Sequence, residues 1–415
     1  MKKIICVILC LFMILLPLTL SGCSGEKGFE GEINVYNWGE YISNGDEGTL
    51  DVIEAFEEKY NIKVNYTNFE TNEQMYSMLK NSNSSYDIII PSDYMISKLI
   101  NEGMLEKIDF ENVPNYKYTM EKFRTSGFDP TGEYTVPYTW STVALVYNKK
   151  LVEPESVKGF TSLWDEKNAG KILMFNNSRD SMSIAMQLCD PPIDPGKTDF
   201  TFEDINRATD KLVEQKKYLK KYVMDQVFTE MEGSQAGIAP YYSGDIYTMM
   251  QNNADLTYCL PQEGSNLFID AMCIPTSCQN KEYAELFINF MCDPEIALAN
   301  AEYIGYGTPN QAAYEMLDDE IKNCELIYPS DEYLEKCYTF SNIPNDVYLY
   351  MQEQFVKACS SSAEISDVGE EDSESDIIYT IIVCILLAVI IIATITMLTL
   401  NIIKAVKNRG RIQKS

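Results

Sequence analysis

Short apolar runs alternate with segments in which apolar residues recur at helical spacing. The first runs are Ile33–Tyr36, Ile62–Tyr66 and Tyr86–Ile90, and the helix-like segments between them are Leu50–Tyr60 and Asn72–Asn81. This order of strand, helix, strand, helix and strand predicts a largely parallel sheet that is covered by helices.

A second set of alternating elements follows the segment Tyr134–Tyr138. It contains predicted strands at Val143–Tyr147 and Lys171–Phe175 and a predicted helix at Phe202–Tyr218. Apolar periodicity resumes directly after the proline-rich stretch Asp190–Gly196, so this stretch is interpreted as a loop within a lobe. Two such sets in one chain predict an α/β protein with two lobes.

The N-terminus has the three-part form of a secretory signal. Two lysines precede an apolar run, and Leu-Ser-Gly-Cys follows it. This ending resembles the site at which bacterial lipoproteins are cleaved and acylated. We therefore expect residues 1–22 to be a signal peptide, Cys23 to carry lipid and residues 23–29 to form a polar tether. The alternative is an ordinary signal that is followed by a chance cysteine.

The C-terminus contains an apolar segment, residues 377–403, that has no charged residue and could cross about 30 Å of hydrocarbon. An acidic, serine-rich stretch at 360–376 precedes it and is predicted to be a disordered stalk. A basic tail at 404–415 follows it and is predicted to lie in the cytoplasm. The segment is therefore expected to span the cell membrane, with the body of the protein outside the cytoplasm.

The charge of the chain disfavours nucleic acid as a partner. The formal net charge is −29, and every acidic residue lies between the predicted signal and the predicted span. A field of this sign repels nucleic acid and favours cationic ligands.

The chain has no histidine. This excludes Ser-His-Asp and Cys-His catalysis and the usual zinc and copper ligand sets, and we expect no metal and no cofactor. A glycosidase that uses two carboxylates remains an alternative. Eight cysteines are expected in the exported body, by default as buried free thiols, with room for one or two disulfides: Cys189, Cys259, Cys273, Cys278, Cys292, Cys324, Cys337 and Cys359.

Two aromatic residues flank a carboxylate directly after the first predicted strand, in Trp38-Gly39-Glu40-Tyr41. A ring face attracts an ammonium group, and a carboxylate accepts its N–H bonds. Open parallel sheets bind ligands at the carboxyl ends of their strands. This segment is therefore a candidate site for an organic cation, although aromatic residues at strand ends also serve simply in packing.

Five segments in this order resemble the spermidine/putrescine-binding subunits of bacterial polyamine ABC importers, over roughly residues 30–358. They are Tyr36–Tyr41, Tyr86–Tyr94, Val136–Trp140, Tyr242–Asp245 and Ile304–Asn310. The resemblance implies a two-lobed type II periplasmic-binding-protein fold. Lobe one would comprise residues 30–142 and 265–315, and lobe two would comprise residues 143–264 and 316–359.

The resemblance also implies a binding site in which aromatic rings enclose the methylene chain of a polyamine and carboxylates hold its amino groups. Asn177 stands where spermidine-type members have an acid, so the choice between putrescine and spermidine stays open. The implied aromatic residues are Trp38, Tyr41, Tyr94, Tyr242, Phe268 and Tyr306, and the implied polar ones are Glu40, Ser92, Asn177, Asp180, Asp245 and Asp270.

The function expected from this resemblance is capture without catalysis. The partners would be a polyamine, the permease and ATPase subunits of an ABC importer, and the membrane, with the protein itself a monomer. Two alternatives remain at this point: a secreted carboxylate-only enzyme such as a glycosidase, and a sensory ligand-binding ectodomain.

Overall fold

The computed structural model describes residues 28–81 and 85–361. The predicted signal peptide, Cys23, most of the tether and stalk, the predicted membrane span and the basic tail lie outside the described residues. Within these two ranges, no helix combines the length and apolarity needed to cross a membrane.

The strands follow one path, in the order β2-β1-β3-β9-β4-β7-β5-β6, with β8 also paired to β4. β1 is parallel to β2 and β3, whereas β9 is antiparallel to β3 and β4. The strands are β1 Gly31–Trp38, β2 Ile62–Phe69, β3 Ile88–Ile89, β4 Thr135–Asn148, β5 Ile172–Phe175, β6 Leu219–Val223, β7 Ile238–Tyr242, β8 Leu256–Cys259 and β9 Leu267–Cys273.

The α-helices pack around these strands, and short 3₁₀ helices lie in several connections. The α-helices are α1 Val52–Tyr60, α2 Asn72–Asn81, α3 Asp93–Asn101, α4 Glu121–Arg124, α5 Ser178–Gln187, α6 Phe202–Gln215, α7 Gln226–Glu232, α8 Ser243–Asn252, α9 Lys281–Met291, α10 Pro294–Ile304, α11 Gln311–Met316, α12 Asp319–Lys322, α13 Asp331–Leu334 and α14 Asn345–Ser360. The 3₁₀ helices are Asp46–Gly48, Pro114–Tyr118, Pro154–Ser156, Phe160–Trp164 and Glu166–Asn168.

Local sequence accounts for where many helices begin and end. Thr201 and Asp204 form a reciprocal capping box at the start of α6. Pro294 occupies the first turn of α10, where its missing N–H is not needed, and Gly305 ends that helix with a φ of 75°. Such signals fix where these helices begin and end.

Strand β4 joins the two lobes. Residues 135–142 pair with β9, and residues 143–147 pair with β7. The sequence predicted separate segments at Tyr134–Tyr138 and Val143–Tyr147, but every residue of β4 is buried and the strand is continuous. A strand that is buried on both faces has no polar alternation to mark where it passes from one sheet to the other.

Each lobe has its own core. In lobe one, helices cover both faces of the sheet, with Phe56 and Phe287 buried on one face and Met75 and Leu99 on the other. In lobe two, a single large cluster centres on β4, β5 and β7. The segment 316–359, which the sequence assigned to lobe two, contacts the cores of both lobes. Leu326 belongs to the lobe-two core, whereas Tyr328 packs against the lobe-one core on the Met75 and Leu99 face.

The eight predicted cysteines of the body are free thiols in the structure. Burial raises the pKa of the Cys292 thiol to about 12, so this thiol stays protonated at neutral pH. The cores of both lobes therefore pack without a disulfide among these eight cysteines.

Candidate ligand-binding site

Four aromatic side chains that the sequence singled out form a continuous row. Tyr242 meets Phe268 edge to face with ring centroids 5.5 Å apart, and Phe268 lies 6.0 Å from Tyr306. Tyr306 in turn lies 5.6 Å from Tyr41 in the same geometry. Tyr242 ends β7 of lobe two, whereas Tyr41, Phe268 and Tyr306 belong to lobe one. The row therefore crosses from one lobe to the other.

Asp270 lies in the middle of β9 and is 3% exposed. Its Oδ2 accepts a hydrogen bond of 2.5 Å from the Tyr41 hydroxyl, and its Oδ1 has no hydrogen-bond partner among the described residues. Burial raises the pKa of Asp270 to about 6, although the hydrogen bond from Tyr41 and the nearby Ser92 side chain lower it in part. One oxygen of this buried carboxylate is therefore left over for a donor from outside.

Asp180 lies in the first turn of α5, directly after β5. Asn177 caps this helix by accepting from the Asp180 N–H at 2.8 Å, and its amide nitrogen donates to the Asp180 carboxylate at 2.7 Å. The Tyr242 hydroxyl donates to the same Oδ2 at 2.9 Å. Burial raises the pKa of Asp180, and these two hydrogen bonds oppose that rise. Asn177, at the position where the resemblance implies an acid in spermidine-type members, therefore forms hydrogen bonds with Asp180.

Asp245 lies in the first turn of α8, in lobe two. Its Oδ2 accepts a hydrogen bond of 3.0 Å from the Tyr306 hydroxyl of lobe one. Burial raises the pKa of Asp245 to about 7. A Cβ atom on Gly244 would lie 2.3 Å from the Tyr306 ring, so the close approach of ring and helix requires glycine there.

The three carboxylates share one electrostatic property. Asp180, Asp245 and Asp270 are each bonded to a tyrosine hydroxyl, and none forms an ion pair with a lysine or arginine of the described residues. The charge of Arg179 lowers the pKa of Asp180 in part, from beyond ion-pair distance. Carboxylates that are withdrawn from water without an ion-pair partner are costly, and an incoming cation would remove that cost. The aromatic row beside them supplies ring faces and edges for the apolar part of such a cation.

Two residues of the segment Trp38–Tyr41, Trp38 and Glu40, make contacts outside this cluster. The Trp38 ring packs on Phe69 at 4.5 Å. Glu40 is exposed, has a φ of 50° and accepts from the Tyr303 hydroxyl at 3.2 Å. Of that motif, the structure brings only Tyr41 into contact with a carboxylate of the site.

Tyr94 and Ser92 flank the site from the start of α3. The Tyr94 hydroxyl donates to Glu73 at 3.0 Å, and the Arg179 guanidinium lies 3.9 Å from the centre of the Tyr94 ring. Ser92 forms an antiparallel bridge with Asp270 through its backbone. The Tyr94 ring, which the resemblance assigned to the ligand, is therefore in contact with the Arg179 guanidinium of the chain itself.

Sequence reasoning missed several residues that position the site. The Thr139 hydroxyl lies 2.9 Å from the Tyr41 hydroxyl, and the Tyr138 hydroxyl donates to the Tyr41 carbonyl at 2.7 Å. Arg179 reaches Tyr94 from the other lobe. Tyr138 and Thr139 lie inside the segment Val136–Trp140, and Arg179 lies between the candidates Asn177 and Asp180, but only the fold shows which residues they contact.

Comparison with known proteins places the chain in a family. Residues 51–327 match the family described as bacterial extracellular solute-binding protein. The spermidine/putrescine-binding periplasmic protein of Escherichia coli is 30% identical over 301 residues, which cover 72% of this chain and 83% of that protein. The putrescine-binding periplasmic protein SpuD of Pseudomonas aeruginosa is 27% identical over 368 residues, which cover 83% of this chain and 96% of that protein.

A solved structure agrees with this placement. The spermidine/putrescine ABC transporter substrate-binding protein of Streptococcus pneumoniae superposes with a TM-score of 0.69 at 31% identity and covers 79% of this chain and 98% of that one. The expectation of a two-lobed periplasmic-binding-protein fold is thereby confirmed. The chain belongs to the bacterial extracellular solute-binding proteins.

Proposed function

We propose that this protein is the substrate-binding component of an ABC importer and that it captures a polyamine between its two lobes. The observation that carries the proposal is a set of three carboxylates, buried at Asp180 and Asp270 and partly buried at Asp245, each bonded to a tyrosine hydroxyl and none within ion-pair distance of a base of the described chain. Of the relatives named above, one is described as spermidine/putrescine-binding and the other as putrescine-binding, and this supports the same ligand class here.

The chemistry of a polyamine fits such a site. Its ammonium groups carry the opposite charge to Asp180, Asp245 and Asp270, and each terminal ammonium supplies three N–H donors. Its methylene chain suits the row of rings between those acids. We expect Asp270 to hold one end of the ligand and the lobe-two acids to hold the other.

Closure of the lobes would complete the site. The hydrogen bond between Tyr306 of lobe one and Asp245 of lobe two crosses the cleft, as does the contact between Phe268 and Tyr242. A ligand that bridges the same groups would favour the closed form, because it binds that form better than the open one. The closed form would then be the one presented to the permease.

The protein is a binding protein and not an enzyme, as the family to which it belongs indicates. The expectation that nothing is catalysed is therefore confirmed, and the glycosidase and sensory alternatives are less well supported. We propose that the body works outside the cytoplasm, anchored by lipid at Cys23 and by a span at residues 377–403. Both anchors rest on the sequence pattern alone.

Calorimetry on the purified full-length protein in detergent tests the proposal. Putrescine, spermidine and spermine are titrated separately, with lysine as a control that carries a carboxylate. We expect saturable heat with at least one polyamine and none with lysine. Absence of binding to all three polyamines would overturn the proposed ligand class.

A further inference from the structure

Asp93 is a buried acid to which nothing above assigns a role. It is the first residue of α3 and is 1% exposed. Its Oδ1 accepts a hydrogen bond of 2.6 Å from the Tyr94 N–H. Its Oδ2 makes no hydrogen bond of normal length and angle within residues 28–81 and 85–361, although the Ile269 N–H is near enough to lower the pKa of Asp93. A buried carboxylate oxygen without a donor is unusual and calls for an explanation.

Asp93 lies beside Asp270. The residue before it, Ser92, forms a backbone bridge with Asp270, and this bridge brings the start of α3 against β9. The two carboxylates therefore belong to adjoining elements, and each keeps one unpartnered oxygen: Oδ2 of Asp93 and Oδ1 of Asp270. Burial raises the pKa of Asp93 to about 8, and the negative charge of Asp270 is a further cause of that rise.

The charges that face this pair do not neutralise it. Arg179, from α5, lowers the pKa of Asp93 in part, but it lies against the Tyr94 ring and forms no ion pair with either acid in the described structure. Its own Nε also lacks a partner. Tyr41 donates to Asp270, and the Tyr94 and Ile269 backbones lower the pKa of Asp93. The pair is thus left with acceptor capacity and excess negative charge.

We propose that Asp93 contacts the ligand and, together with Asp270, holds one primary ammonium group, and that Asp93 loses a proton when the amine binds. This inference rests on the proposed function and adds a carboxylate to its site. Two acceptor oxygens from different elements suit an ammonium group, which offers three donors. A metal ion suits the pair less well, because no described group of three or more acids, cysteines or histidines could hold one.

The proton that Asp93 releases comes from its own carboxyl group. Free protein carries Asp93 as the neutral acid below its pKa, and the incoming amine arrives as an ammonium ion. Binding places that cation beside the carboxyl group, which lowers its pKa, and the released proton passes to the buffer. The ligand stays protonated throughout. The release should therefore be measurable near pH 7 and should disappear near pH 9, where Asp93 is already ionised.

Calorimetry in buffers of different ionisation enthalpy measures this release. Putrescine, or spermidine if it binds more tightly, is titrated into the full-length protein at pH 7 in phosphate and in Tris. The wild type should release roughly one to two protons per ligand, because Asp245, with a pKa of about 7, contributes beside Asp93. Asp93→Asn should release clearly fewer while still binding. Asp331→Asn, at the exposed start of α13, should match the wild type. Equal proton release by the wild type and Asp93→Asn would overturn the proposal.

A measurement without ligand separates this inference from the proposed function. Carboxyl NMR of the ligand-free protein follows the titration of Asp93 in the wild type and in Asp270→Asn. We expect the midpoint of Asp93 to fall in the variant, because a neighbouring negative charge has been removed, and an unchanged midpoint would refute the pairing. If the pairing holds but no polyamine binds, the proposed function fails and the ammonium site fails with it.

Discussion

The sequence Pro-Ser-Asp occurs twice and begins a helix each time, with opposite outcomes. At residues 91–93 it begins α3, and at residues 329–331 it begins α13. Serine is the N-cap and aspartate the first helical residue in both. Asp93 is buried beside Asp270, whereas Asp331 is exposed.

The two serines also differ in what they bind. The Ser330 hydroxyl accepts from the Tyr333 N–H at 3.3 Å, which is the usual role of an N-cap serine. The Ser92 side chain caps nothing in α3, and instead helps to lower the pKa of Asp270. The same three residues are therefore a helix start in one place and part of a candidate site in the other, because Ser92 bridges Asp270 of β9 whereas Ser330 caps its own helix.

The largest effect should come from substitution of Asp270, the buried acid that lies against the start of α3. Asp270→Asn removes the charge but keeps an oxygen for Tyr41, so we expect the fold to survive. Polyamine affinity should fall by about 100-fold or more, since a buried charge pair is lost. Calorimetry beside Asp331→Asn measures this, and similar affinities for the two variants would show that Asp270 does not hold the ligand.

The next effect should be on the pH dependence of stability. A carboxyl group whose folded pKa is raised to about 8 contributes stability at low pH that is lost as pH rises towards and through that value. The rise from about 3.9 corresponds to on the order of 5 kcal/mol of unfolding free energy. The Asp93→Asn variant has no carboxyl group at this position, so it should not lose this stability as pH rises.

Urea unfolding of ligand-free protein at pH 5 and pH 9 tests this. We expect Asp93→Asn to be more stable than the wild type at pH 9 and to approach it at pH 5. Asp245 and Asp270, whose pKa values are about 7 and about 6, keep part of the slope in both proteins. If the unfolding free energy changes equally with pH in the variant and the wild type, Asp93 is ionised in the folded state at pH 5.

The two serines should give a smaller and reciprocal effect. Ser330→Ala removes a helix cap and should cost about 1 kcal/mol of stability with no change in affinity. Ser92→Ala should cost less stability but weaken polyamine binding several-fold, because the pKa of Asp270 rises further. Denaturation and calorimetry on both variants measure this, and equal behaviour would mean that neither serine distinguishes the two helix starts.

The smallest effect is expected for Asp331→Asn. Its side chain is exposed at the helix start, so unfolding free energy should change by less than about 0.5 kcal/mol. Thermal unfolding checks this. A larger loss would show that an acid matters at any Pro-Ser-Asp helix start, and the contrast with Asp93 would weaken.

Much of the fold could be predicted from the chain because apolar periodicity reports local structure. The strands at Ile33–Tyr36 and Ile62–Tyr66 and the helix at Asn72–Asn81 fall within β1, β2 and α2. The continuous β4 could not be predicted, since burial along its whole length removes the alternation that marks strand ends.

The candidate site was predictable to a different degree from one residue to the next. The structure brings Tyr41, Asp270 and Tyr306 together. Tyr41 follows the carboxyl end of β1, where sequence reasoning expects ligands, whereas Asp270 lies in the middle of β9 and Tyr306 follows α10. Trp38 and Glu40 lie next to Tyr41 in sequence but face Phe69 and Tyr303. Adjacent residues point in different directions, and motif spacing alone does not decide which one turns inward.

The sequence by itself determined the class of ligand that this protein would suit and the two-lobed α/β architecture. Composition without histidine, acidic charge and the ordered motifs depend on residue type alone. Only the tertiary structure decided which acids are buried, which tyrosine each one binds and which of two identical helix starts faces the site. Burial and hydrogen bonding arise between segments far apart in the chain, and they set the pKa values and the unpartnered oxygens on which recognition depends.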